Sequence, residues 1–188
     1  GLRAFHDLAD YVTINISSPN TENLRNFHDQ SKLEQLLNEI EKEKKNLNSK
    51  IPIVLKIAPD INDKEVEKIS GILLNNDIEA IIISNTSDGT REKLKDIQKH
   101  QKGGLSGKPL EDKSNLLISK FYNYFKNKIK IIGVGGVDTG LSAYNKFLSG
   151  ADLIQLYTGM VYKGPNIVNL IKKDLSKLLL KDGVRNFK

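Results

Sequence analysis

The stretch Tyr11-Val12-Thr13-Ile14-Asn15-Ile16-Ser17-Ser18-Pro19-Asn20-Thr21-Glu22-Asn23-Leu24-Arg25 decides the fold. It opens with residues that are mostly β-branched or aromatic, which predicts a strand, and Pro19 must end that strand because proline cannot donate to a central ladder. A cluster of hydroxyl and amide side chains therefore follows the strand's carboxyl end. A turn closed by Asx and serine hydrogen bonds would account for Ser17, Pro19 and Asn20 alone. The rest of the chain repeats the arrangement, and the repetition favours a functional site.

The composition is that of a soluble globular domain. The chain has 188 residues, of which 38% are hydrophobic and 28% charged, and this length can bury a sizeable single core. The absence of cysteine excludes disulfides, thiolate metal sites and a cysteine nucleophile or acid. The net charge of +6 comes from scattered lysines with few aromatic residues between them, so we expect no nucleic-acid partner. No apolar run predicts a membrane span, and no signal-peptide pattern opens the chain.

Strand and helix patterns alternate along the whole chain. The capping box Ser31-Lys32-Leu33-Glu34 is followed by apolar residues at helical spacing, which predicts a first helix. The cap candidates Asn62 and Asp63 are followed by the same spacing, which predicts a second helix. The later helices are predicted over 112–127, over 141–148 and from Gly164-Pro165 onward, with the proline in the first turn. The later strands are predicted over 51–57, 80–83, 129–134 and 151–157. The count is five strands and five helices, and the long polar segment 87–109 is predicted to be a lid.

This alternation requires a parallel sheet with right-handed crossovers. An open doubly wound sheet would concentrate functional residues near one switch point, whereas a (β/α)8 TIM barrel collects them from the ends of several strands. All five predicted strands end in polar or glycine-rich clusters, so we predict the barrel. Five strands cannot close it, and Gly1 to Asp10 shows no start methionine. We therefore expect residues 1–188 to be the C-terminal portion of a longer single-domain barrel, holding about its last five β/α units.

Two features of the strand ends predict a bound phosphate ester. Lys56 lies inside an otherwise apolar strand, where a buried ammonium group is costly unless an anion meets it, although an exposed edge lysine is the alternative. Gly135-Gly136 presents backbone amides at a strand-to-helix turn, although glycine pairs also make ordinary tight turns. Joined to Tyr157-Thr158 after the next strand, Gly136 matches the usual place of phosphate in barrels, the loops after strands 7 and 8.

The other titratable residues predict no catalytic or metal site. His6, His28 and His100 fall in predicted helices or loops, which favours surface or structural roles. Asp60 and Asp138 are expected to cap turns or helices, and no spacing of carboxylates or histidines indicates metal ligands.

The motifs, taken in order, resemble the signature set of class 2 (quinone-linked) dihydroorotate dehydrogenases. They are the segments 15–21, 56–60, 84–86, 103–107, 133–137 and 155–158. The resemblance implies an FMN-containing flavoprotein with a (β/α)8 barrel. Such an enzyme oxidises dihydroorotate to orotate in pyrimidine biosynthesis and passes the electrons to a membrane quinone. Ser18 indicates the class, since soluble class 1 enzymes have cysteine at the matching position.

The same resemblance implies a role for each motif residue. Ser18 would be the base that removes the C5 proton of dihydroorotate while hydride leaves C6, and a relay through neighbouring groups would carry the proton away. The implied substrate-binding residues are Asn15, Asn20, Asn85 and Thr86. The implied FMN-binding residues are Asn15, Lys56, Ser84, Gly107, Gly136, Tyr157 and Thr158. Ser84 stands where many relatives have threonine, and it keeps the hydroxyl.

The resemblance also implies parts that these 188 residues lack. The family's first three strands and its N-terminal quinone-tunnel helices would precede this segment, would contact the membrane, and would place the enzyme peripherally on the inner membrane, bacterial or mitochondrial. The isolated segment would then be inactive. Two other classes stay open, a tRNA-dihydrouridine synthase, whose cysteine acid is missing here, and a non-redox phosphate-binding barrel, which leaves the Ser18 loop unexplained.

Overall fold

Five parallel strands form one sheet in which spatial order equals chain order. The computed structural model describes residues 1–89, 91–92 and 94–184. The strands are β1 Val12–Asn15, β2 Ile53–Ile57, β3 Ala80–Ile83, β4 Lys130–Gly133 and β5 Leu153–Ile154. The helices are α1 Leu2–Phe5, α2 Gln30–Asn46, α3 Asp63–Leu74, α4 Glu111–Phe125, α5 Gly140–Leu148, α6 Thr158–Lys163 and α7 Ile167–Lys181. Short 3-10 turns cover Leu24–His28, Ile97–His100 and Lys108–Leu110.

The two faces of the sheet differ, as the alternation of side chains along a strand requires. One face of β2 points Ile53, Leu55 and Ile57 into the main core. Helices α2, α3 and α4 cover this core with buried residues that recur at helical spacing, among them Leu33, Leu37, Val66, Ile69, Leu73, Phe121 and Phe125. The other face carries a smaller apolar cluster of Val54, Ala80, Ile82 and Ile132. The helices thus bury one face, and the opposite face is the inner face of the β/α arrangement.

The strand register aligns the carboxyl ends at one edge of the sheet. Asn15 pairs with Lys56, Ile57 with Ile83, and Ile83 with Gly133. The segments that follow these residues therefore all leave the sheet at the same end. The motif residues identified in the sequence lie on these segments, which is the arrangement expected for a β/α barrel.

The helix starts confirm one predicted cap and correct two others. Asn62 caps α3 in a reciprocal capping box with Glu65, as its position in the sequence predicts. The predicted box at Ser31 is wrong: Asp29 is the N-cap of α2, and Ser31 lies in the first turn with its hydroxyl donating to Asp29. Pro165 is also outside its helix, because α7 begins at Ile167 after the N-cap Asn166.

The element count differs from the prediction because short elements carry little periodic signal. The five predicted strands are present, but β5 has only two residues, both of which pair with β4. In the described part of the chain the short helices α1 and α6 add to the five predicted ones. Within the predicted lid 87–109, Ser87 and Leu105 form an antiparallel bridge that closes the base of the loop. Thr90 and Lys93 of the lid lie outside the described residues.

None of the helices in the described ranges has the length and apolar character needed to cross a membrane.

Candidate active site

The loop after β1 holds Ser18 between two donors. Its hydroxyl oxygen, Oγ, accepts a hydrogen bond from the Asn20 backbone amide at 3.2 Å and from Thr21 Oγ1 at 3.4 Å. Ser18 is half-buried, while Asn20 is exposed. Donors at the hydroxyl oxygen favour its ionised form, so they lower the cost of removing its proton. The sequence analysis gave a role to Ser18 but none to Thr21, although Thr21 lies in the same motif. The signal for Thr21 is its place three residues after Ser18.

A chain of hydrogen bonds joins this loop to the segment after β3. Asn85 Nδ2 donates to Ser17 Oγ at 2.9 Å, and Ser17 Oγ donates to Asn15 Oδ1 at 2.6 Å. The Ser17 amide also donates to Asn15 Oδ1, at 3.1 Å. Asn85 Oδ1 accepts from the Thr86 amide at 2.8 Å. The structure therefore brings Asn15, Asn85 and Thr86 together through Ser17, which the sequence analysis did not single out.

Gly104 lets the 87–109 loop approach this group closely. A Cβ atom at position 104 would collide with the Thr86 side chain and lie 3.1 Å from Pro19 Cγ. Only glycine allows the loop backbone to pass there. The loop consequently packs directly on the segment that carries Thr86 and on the proline that follows Ser18.

Lys56 is on β2 and is the register partner of Asn15 on β1. It is two residues from Val54, so both side chains are on the inner face of the sheet. Its side chain is half-buried, and burial lowers the pKa of its ammonium group. Among the residues that the structure describes, none forms a hydrogen bond or an ion pair with Lys56 Nζ. A half-buried cation without a protein partner gains stability from a bound anion.

The glycine-rich turns contact one another in part. Gly107 has a φ of +78°, and a Cβ there would lie 2.8 Å from Thr158 Cγ2. Thr158 Oγ1 donates to Ser106 Oγ at 3.0 Å, so the end of the 87–109 loop meets the start of α6. Gly136, at a φ of +79°, instead packs on Glu111 of α4. A Cβ at Gly159 would lie 2.6 Å from the Val137 carbonyl oxygen, which places the turn after β4 beside α6.

The two remaining predicted cofactor residues, Tyr157 and Ser84, differ in their surroundings. The Tyr157 side chain is 79% exposed. Ser84 is buried, and its hydroxyl donates to the Asn85 backbone oxygen at 3.2 Å. Its backbone amide donates to the Val134 oxygen at 3.1 Å, which joins the segments after β3 and β4.

Neither aspartate has the predicted capping role. Asp60 accepts hydrogen bonds from Ser87 Oγ at 2.5 Å and from the Asp88 amide at 3.0 Å, and it pairs with Arg25 and Lys113. It therefore connects loops that are distant in the chain. Asp138 pairs with Lys163 at 3.1 Å, while Thr139 is the residue that caps α5.

His28 has a structural role, as the sequence analysis expected. It is buried, its Nδ1 lies 2.9 Å from the Arg25 oxygen, and its Nε2 accepts from the Ala58 amide at 3.2 Å. Burial lowers the pKa of the imidazole, which favours the neutral form that these two bonds require. His28 thus fixes the loop after β1 to the end of β2.

Comparison with known proteins identifies the family. The family model described as Dihydroorotate dehydrogenase matches residues 1–179. The chain belongs to the dihydroorotate dehydrogenase family. The resemblance inferred from the motifs is confirmed, and so is its reach over nearly the whole chain.

The similar sequences are named as quinone-dependent members of this family. A dihydroorotate dehydrogenase (quinone) of Bartonella tribocorum is 43% identical across 100% of this chain and 53% of its own length. The protein of the same name from Idiomarina loihiensis is 43% identical across 93% of this chain and 53% of its own length. The chain thus spans about half the length of the curated relatives it matches.

Solved structures of the dihydroorotate dehydrogenase family have the same fold. The crystal structure of the Eimeria tenella enzyme in complex with ferulenol matches with a TM-score of 0.96 at 31% identity, over 100% of this chain and 54% of that chain. The ligand-free form of the same enzyme matches with a TM-score of 0.95 at 32% identity. The predicted fold class is confirmed: the five strands and their helices form part of a β/α barrel.

Proposed function

We propose that the full-length protein to which this chain belongs oxidises dihydroorotate to orotate in pyrimidine biosynthesis, with FMN as hydride acceptor and a quinone as terminal acceptor. Membership of the dihydroorotate dehydrogenase family and the names of the relatives support the reaction class. The observation that carries the proposal is the placement of Ser18, whose Oγ accepts two hydrogen bonds beside the joined side chains of Asn15 and Asn85.

Ser18 is the proposed base for the C5 proton of dihydroorotate. A serine hydroxyl is a weak base, so it needs groups that stabilise its oxygen as negative charge develops there. The Asn20 amide at 3.2 Å is one such donor. The Thr21 hydroxyl lies 3.4 Å from Ser18 Oγ. For the relay it would turn to accept the Ser18 proton, which frees a lone pair on Ser18 Oγ for the proton from C5.

Four polar residues are proposed to bind the substrate, namely Asn15, Asn20, Asn85 and Thr86. Dihydroorotate has ring amides and a carboxylate, which amide and hydroxyl side chains match in donors and acceptors. Asn15 and Asn85 each use one polar atom on Ser17, which fixes their orientation. Such fixed groups bind the ring of dihydroorotate with little further loss of side-chain entropy.

The residues present fit FMN. A half-buried Lys56 without a described partner suits the edge of the isoalloxazine ring at which negative charge accumulates on reduction. Gly107 and Gly136 have positive φ values, which residues with a side chain rarely adopt, and glycine turns of this kind present backbone amides to a phosphate ester. Asn15, Ser84, Tyr157 and Thr158 complete the proposed contacts. When bound, FMN would accept the hydride that leaves C6.

The quinone, the membrane contact and the preceding strands are also proposals. The relatives named for quinone are about twice the length of this chain. We propose that residues 1–188 form the C-terminal portion of one barrel domain. The preceding part would supply the remaining strands and the quinone site, and would hold the enzyme at the inner membrane.

The decisive experiment uses the full-length protein. Its visible absorption spectrum should contain a flavin band, and anaerobic addition of dihydroorotate should bleach that band. A decylubiquinone-type quinone should then restore it. A protein without a flavin band would instead fit a non-redox phosphate-binding barrel, and a flavin that dihydroorotate leaves oxidised would contradict the proposed substrate.

A further inference from the structure

One arginine contacts each of three segments that leave the carboxyl edge of the sheet. Arg25 Nε donates to the Ser17 backbone oxygen at 3.2 Å, and Nη2 donates to the Thr86 backbone oxygen at 3.0 Å. Its Nη1 lies 3.3 Å from Asp60 Oδ2 and also pairs with Asp88. These partners follow β1, β2 and β3. The planar guanidinium group of Arg25 therefore holds three loops at fixed distances from one another.

Asp60 extends the same network to the 87–109 loop and to α4. It accepts from the Asp88 amide and from Ser87 Oγ at the base of that loop, and from Lys113 on α4. Burial alone would raise the pKa of the Asp60 carboxyl group, but the hydrogen bonds from Lys113, Ser87 and Asp88 outweigh burial, and the pKa falls to about 2. Asp60 is therefore ionised throughout the physiological range.

Arg25 and Asp60 are largely shielded from solvent, so the geometry of their contact affects its energy. The side chain of Arg25 is 23% exposed and that of Asp60 16%, so both groups have lost most of their hydration. Two cations, Arg25 and Lys113, face two anions, Asp60 and Asp88, and the charges balance. Removal of either Arg25 or Asp60 upsets this balance in a poorly hydrated place, and the loops must move to restore pairing or solvation.

We propose that Arg25 and Asp60 are positioning residues, which set Ser18 at the correct place relative to Asn85 and Thr86 without touching the substrate. This inference rests on the proposed function. Its physical basis is that Arg25 bonds the residue before Ser18 and the backbone of Thr86 with two nitrogens of one rigid plane. A lysine has the same charge, but its three N–H donors leave one nitrogen, so they cannot match acceptors that Arg25 reaches with three separate nitrogens.

The test replaces Arg25 in the full-length holoenzyme with lysine. We expect Arg25→Lys to retain FMN and to be reoxidised by quinone at the parent rate. The rate of flavin reduction at saturating dihydroorotate should fall about 10²-fold, the usual cost of displacing a reacting group by about 1 Å. Because the loss falls on proton removal, deuterium at C5 of dihydroorotate should slow the variant by a larger factor than it slows the parent. Deuterium at C6 should also slow the variant by a larger factor, since hydride leaves C6 while the proton leaves C5.

A matched control separates positioning from simple loss of stability. Lys44 of α2 is a buried cation whose Nζ lies 2.9 Å from the Asp77 carboxylate. Asp77 precedes β3, so this pair lies at the amino ends of the strands, away from the candidate site. Lys44→Gln should lower the melting temperature but leave the reduction rate and both isotope effects unchanged. Asp60→Asn provides a second test if Arg25→Lys loses FMN, and it should reproduce the slower reduction and the larger C5 effect.

The possible outcomes separate this inference from the proposed function. A parent enzyme that dihydroorotate does not reduce contradicts the proposed function itself. If the parent is reduced, and Arg25→Lys and Asp60→Asn are reduced at the parent rate with unchanged isotope effects, the positioning role is overturned. A slower Arg25→Lys whose C5 effect is unchanged would also overturn it, because the loss would then lie outside proton removal.

Discussion

Ser18 presents the most direct test at the scale of one residue. Ser18→Ala removes the proposed base together with the acceptor for the Asn20 amide and Thr21. Flavin reduction by dihydroorotate should slow by about 10²–10⁴-fold in the full-length enzyme, towards the upper end because the proton leaves carbon. FMN content and reoxidation by quinone should stay normal, as stopped-flow absorbance would show.

Ser119→Ala is a suitable control for this substitution. Ser119 donates to the Asn115 backbone oxygen within α4, so its removal changes a helix surface only. The control should reduce its flavin at the parent rate. An unchanged reductive half-reaction in Ser18→Ala would remove Ser18 from the mechanism.

Lys56 tests the cofactor proposal independently of catalysis. A cation fixed at the flavin edge stabilises the anionic reduced form, so Lys56→Ala should lower the reduction potential and weaken FMN retention. Each tenfold loss of preference for reduced over oxidised FMN corresponds to about 30 mV for a two-electron couple. Redox titration of Lys56→Ala beside the exposed Lys64→Ala measures the shift. Lys56 is not the edge lysine that the sequence left open, because β2 pairs with both β1 and β3. Equal potentials in the two variants would mean that Lys56 has no contact with the flavin.

The sequence predicts the position of a residue in the fold when its signal is local, and misses contacts with partners that are distant in the chain. Ser18 and Asn85 follow strands directly, so motif and position coincide. Arg25 contacts Ser17 eight residues away, Asp60 thirty-five residues away and Thr86 sixty-one residues away. No spacing pattern within one segment contains such contacts. For the same reason Asp60 was predicted as a local cap, although its partners come from other loops and from α4.

At the scale of secondary-structure elements, helix ends and short elements were the least predictable. β3 matches its predicted bounds, 80–83, because both of its faces are buried and the run is wholly apolar. The start of α2 was misplaced because Asp29 and Ser31 are both good caps, and only the preceding 3-10 turn decides between them. Helix α6 has six residues, too few to show a helical period.

Lys146 gives a pH-dependent prediction for the packing of α5 on α4. It is fully buried, and its Nζ donates to Ser114 Oγ at 3.1 Å and to Asn115 Oδ1 at 2.9 Å. Burial lowers the pKa of its ammonium group from 10.5 to about 8. Between those values the unfolded chain binds more protons than the folded one, so this residue makes stability rise with pH across that window, by about 3 kcal/mol in all.

Lys146→Met should abolish this contribution. The free energy of unfolding of the variant minus that of the parent should fall by about 3 kcal/mol between pH 8 and 10.5. Urea unfolding of the full-length protein across that range measures the difference. The exposed Lys172→Met is the control, and its difference from the parent should stay constant. A constant difference for Lys146→Met would mean that Lys146 has an ordinary pKa.

At the scale of the whole molecule, the two outer strands determine how the segment behaves alone. β1 and β5 each pair on one side only. Leu153 of β5 is 60% exposed, and Tyr157 beyond it is also exposed. Unpaired strand edges with apolar side chains promote association. Residues 1–188 expressed alone should therefore aggregate or form loose oligomers, with FMN bound far more weakly than by the full-length enzyme.

Size-exclusion chromatography with flavin fluorescence tests this expectation. The full-length protein, run in the same buffer, is the control and should elute as a defined species with flavin. A monodisperse monomer of residues 1–188 that copurifies with stoichiometric FMN would refute the interpretation of this segment as part of a barrel that needs further strands.

The sequential order of the strands also bears on how the chain folds during synthesis. Each strand pairs with the next one along the chain, so a strand that leaves the ribosome finds its partner already outside. Among the registered pairs, Ala80 and Lys130 are separated by the widest interval of sequence, because the 87–109 loop and α4 lie between β3 and β4. Closing that interval has the largest entropic cost. Because synthesis adds residues one at a time, β3 waits longer for its next partner than any other strand of this sheet, and its unpaired edge stays open to proteases and chaperones meanwhile.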